Sequence, residues 1–119
     1  MPDGVWRIGD RKTFEALRAA GRRARVGPIT VVHLAAEHDD ARVRLAFAVG
    51  RRVGNAVVRN RVRRRIRAVV MELVREGGLA PGAYLVVVAP QGATLPYAQL
   101  AAIVGTAFRR VARGIEDRR

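Results

Sequence analysis

The apolar positions divide the chain into alternating helical and extended stretches. Asp10 is placed to cap a helix that runs to about Ala20, with Phe14, Leu17 and Ala20 on one side and Gly21 ending it. Arg22 to Val26 reads as a brief strand. Gly27-Pro28 breaks it, and Ile29 to Ala36 resumes as a β-branched run. The polar stretch Glu37-His38-Asp39-Asp40 predicts a hairpin loop. Beyond it Val43, Leu45, Phe47 and Val49 alternate with Arg44, Ala46 and Ala48, the period of a half-buried strand. These three strands are expected to form an antiparallel meander.

Asn55 is a suitable N-cap for a long helix reaching about Arg75, in which Val58, Val62, Ile66, Val69 and Leu73 mark one apolar stripe that packs on the sheet. Gly77-Gly78 ends it and Pro81-Gly82 turns the chain. Tyr84 to Ala89 is continuously apolar, which suits a strand covered on both faces. Thr94-Leu95-Pro96 opens a last helix whose buried face holds Leu100, Ile103, Val104, Ala107, Val111 and Ile115. The predicted order is helix, three strands, helix, strand, helix: an α+β domain in two layers, helices on one sheet. Residues 1–8 and 116–119 are expected to be loose.

A length of 119 residues, half of them hydrophobic, fits one domain with a modest core over 1–119. The net charge of +13 changes the picture, because so cationic a short chain calls for a polyanionic partner, nucleic acid first. Lys12 is the only lysine. Arginine's planar fork suits phosphate and base edges. A GC-rich genome would also favour arginine over lysine, but it would not produce the net charge. The absence of cysteine excludes disulfides and thiolate metal sites. No run approaches the roughly 18 apolar residues that span a membrane, and the start lacks the pattern of a secretory signal. A soluble, cytoplasmic protein is expected.

The charge is concentrated. Arg51 to Arg67 reads RRVGNAVVRNRVRRRIR, with eight arginines and no acid. At about 100° per residue, Arg63, Arg64 and Arg67 fall on the far side from the apolar stripe, while Arg59, Arg61 and Arg65 flank it. Like charges at these spacings disfavour the isolated helix by about 0.2–0.5 kcal/mol per pair. Phosphates would reverse that penalty and release counterions. Asn55 reads either as a plain N-cap or, with the first-turn amides, as a further phosphate site. By contrast, His33 sits in a strand as a structural residue, and His38, Glu37, Asp39 and Asp40 read as loop formers. No catalytic or metal-ligating constellation is assigned.

The run from Gly50 through Gly54-Asn55-Ala56-Val57 to Arg59-Asn60-Arg61 and Arg67 resembles the signature of the bacterial ribonuclease P protein family. The resemblance implies a four-stranded sheet with a left-handed crossover, shared with one ribosomal-protein domain, where periodicity alone would favour the right-handed form. It implies that Arg59, Asn60 and Arg61 meet a catalytic RNA, with Arg51, Arg52, Arg64, Arg65 and Arg67 on phosphates. It also implies a cleft between the first helix and the sheet that holds the single-stranded 5′ leader of precursor tRNA. Phe14 matches one aromatic position of that cleft, although Phe14 could equally pack with Leu17; Arg18 and Val32 stand where relatives carry further aromatics. In such proteins the RNA binds Mg2+ and hydrolyses the phosphodiester. The protein alone would then be inactive and would need no obligatory protein partner. The alternative is a non-enzymatic ribosomal or RNA-chaperone-type protein, which the charge and fold would equally allow.

Overall fold

The structure, a computed structural model, describes residues 4–113. In chain order the elements are β1 (Val5–Arg7), α1 (Arg11–Ala20), β2 (Arg22–Val26), β3 (Ile29–Ala35), β4 (Val43–Val49), α2 (Ala56–Arg75), β5 (Gly82–Val88) and α3 (Tyr97–Ala112). Short 3-10 turns at Arg51–Val53 and Pro90–Ala93 precede α2 and α3. Expectations for residues 1–3, for Ile115 and for 116–119 lie outside the described residues. The α+β single-domain reading holds, with three changes in how the sheet is built.

First, the meander does not form. The sheet runs β1-β4-β5-β3-β2, so β5 lies between the strands of the expected hairpin. Its register is antiparallel to β3, Val31 opposite Val86, and parallel to β4, Phe47 opposite Val86. The physical reason is the apolar run itself. A strand with no polar face is best placed centrally, whereas β4, with Arg44 on one face, tolerates a position nearer the edge.

Second, the sheet has five strands, because Val5–Arg7 is ordered as β1, parallel to β4, rather than loose. Val5 is fully buried, Ile8 N–H donates to Leu45 O at 3.1 Å, and Arg67 Nη2 donates to Val5 O at 3.2 Å. The segment satisfies part of the backbone edge that β4 would otherwise expose. Three residues are too few to show a period.

Third, the helices cover both faces of the sheet, giving three layers instead of two. Leu17 of α1 packs with Val32 and Ala83 on one face. On the other, Val62, Ile66 and Val70 of α2 and Leu100, Val104, Phe108 and Val111 of α3 join Val31, Leu45, Tyr84 and Val86. Alternation along β3 and β5 sends neighbouring residues to opposite clusters. Asp10 fixes the start of α1, accepting from Thr13 N–H at 2.9 Å and pairing with Arg44 of β4 at 2.6 Å. The hydrogen bonds from Thr13, and then Arg44, lower its carboxyl to about 2.

His33 is buried in the larger core, stacked on Tyr84 at 4.2 Å between ring centroids, with Nε2 3.3 Å from Pro81 O. Burial holds the imidazole below its ordinary value of 6.5; the bond to Pro81 opposes this, and Arg22 adds to it. Folding therefore favours the neutral ring, and the unfolded chain binds the extra proton first. Stability is expected to be full above about pH 6.5 and to decline below it, a slope that His33→Gln should reduce. Denaturant titrations of both proteins at about pH 7.5 and about pH 5.5 would measure it.

Candidate RNA interface

The basic helix begins at a designed corner. Gly54 has φ +156, and a Cβ there would meet Val58 Cγ1 at 2.7 Å, so glycine is needed where the 3-10 turn gives way to α2. Asn55 Oδ1 accepts from Val58 N–H at 3.0 Å, and its backbone oxygen accepts from Arg59 N–H at 2.9 Å. The cap is thus made, and the side-chain oxygen is committed to it. Val53 is buried beneath the turn, leaving Arg51 and Arg52 exposed.

The arginines from Arg59 to Arg67 divide into four groups. The side chains of Arg61 and Arg64 are exposed and, among the described residues, make no hydrogen bond. Arg63 and Arg67 turn toward the β4 edge; Arg63 Nη1 donates to Asn60 Oδ1 at 2.8 Å, and Arg67 also holds Val5. Arg65 turns toward α3, donates to Leu95 O at 3.3 Å and lies 5.4 Å from the centroid of the Tyr97 ring. Arg59 is half-buried, and its Nε is enclosed without a hydrogen-bond partner. The expected wheel is therefore corrected at three positions. Arg61 faces outward, and Arg63 and Arg67 flank the core, because fully buried Val70, outside the predicted stripe, turns the packed side of the helix toward them.

A groove of about 600 Å³ opens where β1 ends and the β4 edge becomes free. Asn60, Arg63, Arg64 and Arg67 form one wall, Arg7 and Ile8 another, and Phe47 and Phe14 contribute its aromatic surface. Phe14 also borders a smaller cavity of about 150 Å³, shared with Leu17, Arg18, Arg23, Val32 and Leu85. The fold thus brings Phe14, Arg18 and Val32 together, with Val32 as a buried floor, and Phe14 joins this cavity to the arginine wall. Its ring both packs beside Leu17 and borders both cavities.

Sequence reasoning missed Arg7, Arg23 and Phe47. Arg7 lies in the short strand; Phe47 looked like an ordinary inward strand residue; and Arg23 gains meaning only when β2 is folded beside α1. Among the described residues no acid lines either cavity, so the walls concentrate positive potential. A larger groove of about 670 Å³, beside Lys12, is different. There Glu37, Asp39 and Asp40 face Lys12, Arg42 and Arg44, and Asp40 pairs with Arg42 at 2.9 Å, so its charge is largely internal. Among the described residues no group of three His, Cys, Asp or Glu side chains is arranged to hold a metal ion.

The chain is similar to known proteins in sequence and fold. A family profile described as Ribonuclease P matches residues 4–112. A "Ribonuclease P protein component" of Thermobifida fusca is 40% identical over 114 residues, spanning 90% of this chain and 76% of the relative. One from Symbiobacterium thermophilum is 37% identical over 110 residues, spanning 89% and 90%. The fold is that of the Staphylococcus aureus RNase P protein, with TM-score 0.77 at 20% identity over 90% of this chain and 97% of that one. The Thermotoga maritima RNase P protein gives 0.73 at 19%, over 88% and 96%. With the profile covering nearly all the described residues and two relatives matched over most of their length, the chain belongs to the ribonuclease P protein family.

Proposed function

We propose that this chain binds the catalytic RNA of ribonuclease P through the outer face of α2 and the single-stranded leader of precursor tRNA through the groove beside it. The reading rests on one observation above others: an arginine surface, free of acids among the described residues, continues into a groove that ends on Phe14. Polyanion and unpaired bases could then bind side by side, phosphates on Arg51, Arg52, Arg61 and Arg64, and bases against Phe14, Phe47 and the Arg18–Val32 cavity. A guanidinium at Arg18 can replace an aromatic by stacking through its plane.

In this reading the RNA subunit carries Mg2+ and the hydrolytic chemistry, and the protein supplies substrate affinity and neutralises charge as the RNA folds. No protein partner is required, and the complex works in the cytoplasm. No helix among the described residues is long and apolar enough to cross a membrane. The family match favours this reading over a ribosomal or RNA-chaperone role.

Reconstitution tests it. At low Mg2+ the protein is expected to raise cleavage of precursor tRNA by a bacterial ribonuclease P RNA about tenfold, because neutralised phosphates replace screening ions, and to cut nothing on its own. Phe14→Ala should weaken binding of leader-bearing precursor tRNA to the reconstituted complex and leave binding of mature tRNA, which has no leader, unchanged, a stacked base being worth ~1–3 kcal/mol. Unchanged cleavage on adding the protein would refute the assignment; equal losses with and without a leader would return Phe14 to the core.

A further inference from the structure

Of the large apolar side chains exposed among the described residues, Val57, Val87 and Tyr97, only Tyr97 is aromatic. The residue is 47% exposed and joins neither apolar cluster. Yet it is not loosely held. The Arg65 guanidinium lies over it, 5.4 Å from the centroid, and is itself tied to Leu95 O at 3.3 Å. Tyr97 begins α3, so its backbone is fixed as well. A flat ring, braced by a cation and about half exposed to solvent, offers surface on which an unpaired base can stack.

The surroundings identify the ligand's class. Val57, Arg61 and Arg65 follow one another at four-residue spacing along α2, each step rising about 6 Å, and Val57 and Arg61 are exposed. The row leads from the start of the basic helix to the ring with no acid between Arg51 and Arg67. A protein partner could satisfy Arg61 with a carboxylate, but a half-exposed aromatic ring beside closely spaced guanidinium groups complements a nucleotide chain better. Neither cavity proposed for the leader includes Arg61, Arg65 or Tyr97. Arg65 and the groove-lining Arg63 and Arg67 project to opposite flanks of α2.

We propose that Tyr97, braced by Arg65, is a stacking platform for one unpaired base of the catalytic RNA, with Arg61 meeting an adjoining phosphate. This rests on the reading that the chain binds such an RNA, and it adds a contact on the α3 flank of the basic helix.

The test compares Tyr97→Phe, Tyr97→Leu and Tyr97→Ala in titrations of a bacterial ribonuclease P RNA without substrate. Tyr97→Phe should bind as the unaltered protein does. Tyr97→Leu and Tyr97→Ala should bind about tenfold more weakly with an unchanged salt slope, because a base contact and no phosphate contact is lost. Chemical probing should find one unpaired nucleotide protected by the unaltered protein and by Tyr97→Phe but reactive with Tyr97→Ala. Undiminished binding by Tyr97→Ala, full binding by Tyr97→Leu, or a loss seen only with leader-bearing precursor would overturn the platform. If the unaltered protein itself fails to bind the RNA, the functional reading falls and the platform falls with it.

Discussion

Replacing Arg61 and Arg64 together by alanine is expected to weaken binding to ribonuclease P RNA at least tenfold and to lower the slope of log affinity against log salt by roughly 1.4–1.8, two phosphate contacts at about 0.7–0.9 each. Both side chains are exposed and, among the described residues, make no hydrogen bond, so the fold has little to lose. Their removal also relieves like-charge contacts with Arg65 and Arg67 at helical spacing, in a segment with no acid to offset them. Affinity and stability should therefore move in opposite directions: RNA binding falls while the melting temperature holds or rises. A variant that loses both would mean that these arginines support the fold. One that keeps the full salt slope would mean that neither meets a phosphate. Arg67→Ala is the useful contrast, since Arg67 also holds Val5 of β1 and its loss should lower stability as well as binding.

The ease with which α2 was read from sequence follows from its chemistry. A cap, a stripe at helical spacing and a cationic outer face are local features, and the structure reproduces the cap at Asn55 and the stripe from Val62 to Leu73. What escaped were relations between distant segments. No local pattern says that β5 slides between β3 and β4, because its apolar run signals only that both faces are covered. Val5–Arg7 becomes a strand because β4 has an edge to satisfy, a property of the sheet that three residues cannot advertise. The candidate site divides in the same way. Arg61 and Arg64 were legible as part of a charge run, whereas Arg7, Arg23, Phe47 and Tyr97 acquire a role only beside partners far along the chain. Phe108 belongs with them. It was absent from the expected buried face of α3, yet it is fully buried.

Phe108→Ala should therefore have the largest effect on stability. Its ring lies 5.1 Å from that of Tyr84, tilted by 33°, and Tyr84 in turn stacks on His33 and donates its hydroxyl to Ala80 O at 2.6 Å. Truncating a fully buried phenylalanine removes its transfer free energy and leaves a cavity, about 3–5 kcal/mol together. For a domain of this size total stability is about 5–15 kcal/mol, so the melting temperature should fall by roughly 10–20 °C. Phe108→Leu keeps most of the volume and should lose less than half as much. Because α3 meets the sheet through this residue on the face away from α1, the RNA affinity and salt slope of the folded fraction should remain those of the unaltered protein. Calorimetric melts measure the first expectation, and RNA titration well below the lowered melting temperature measures the second. A loss under about 1 kcal/mol would contradict full burial of the ring. An altered salt slope in the folded variant would mean instead that the core and the arginine face of α2 are coupled, and that packing against α3 sets where the guanidinium groups point.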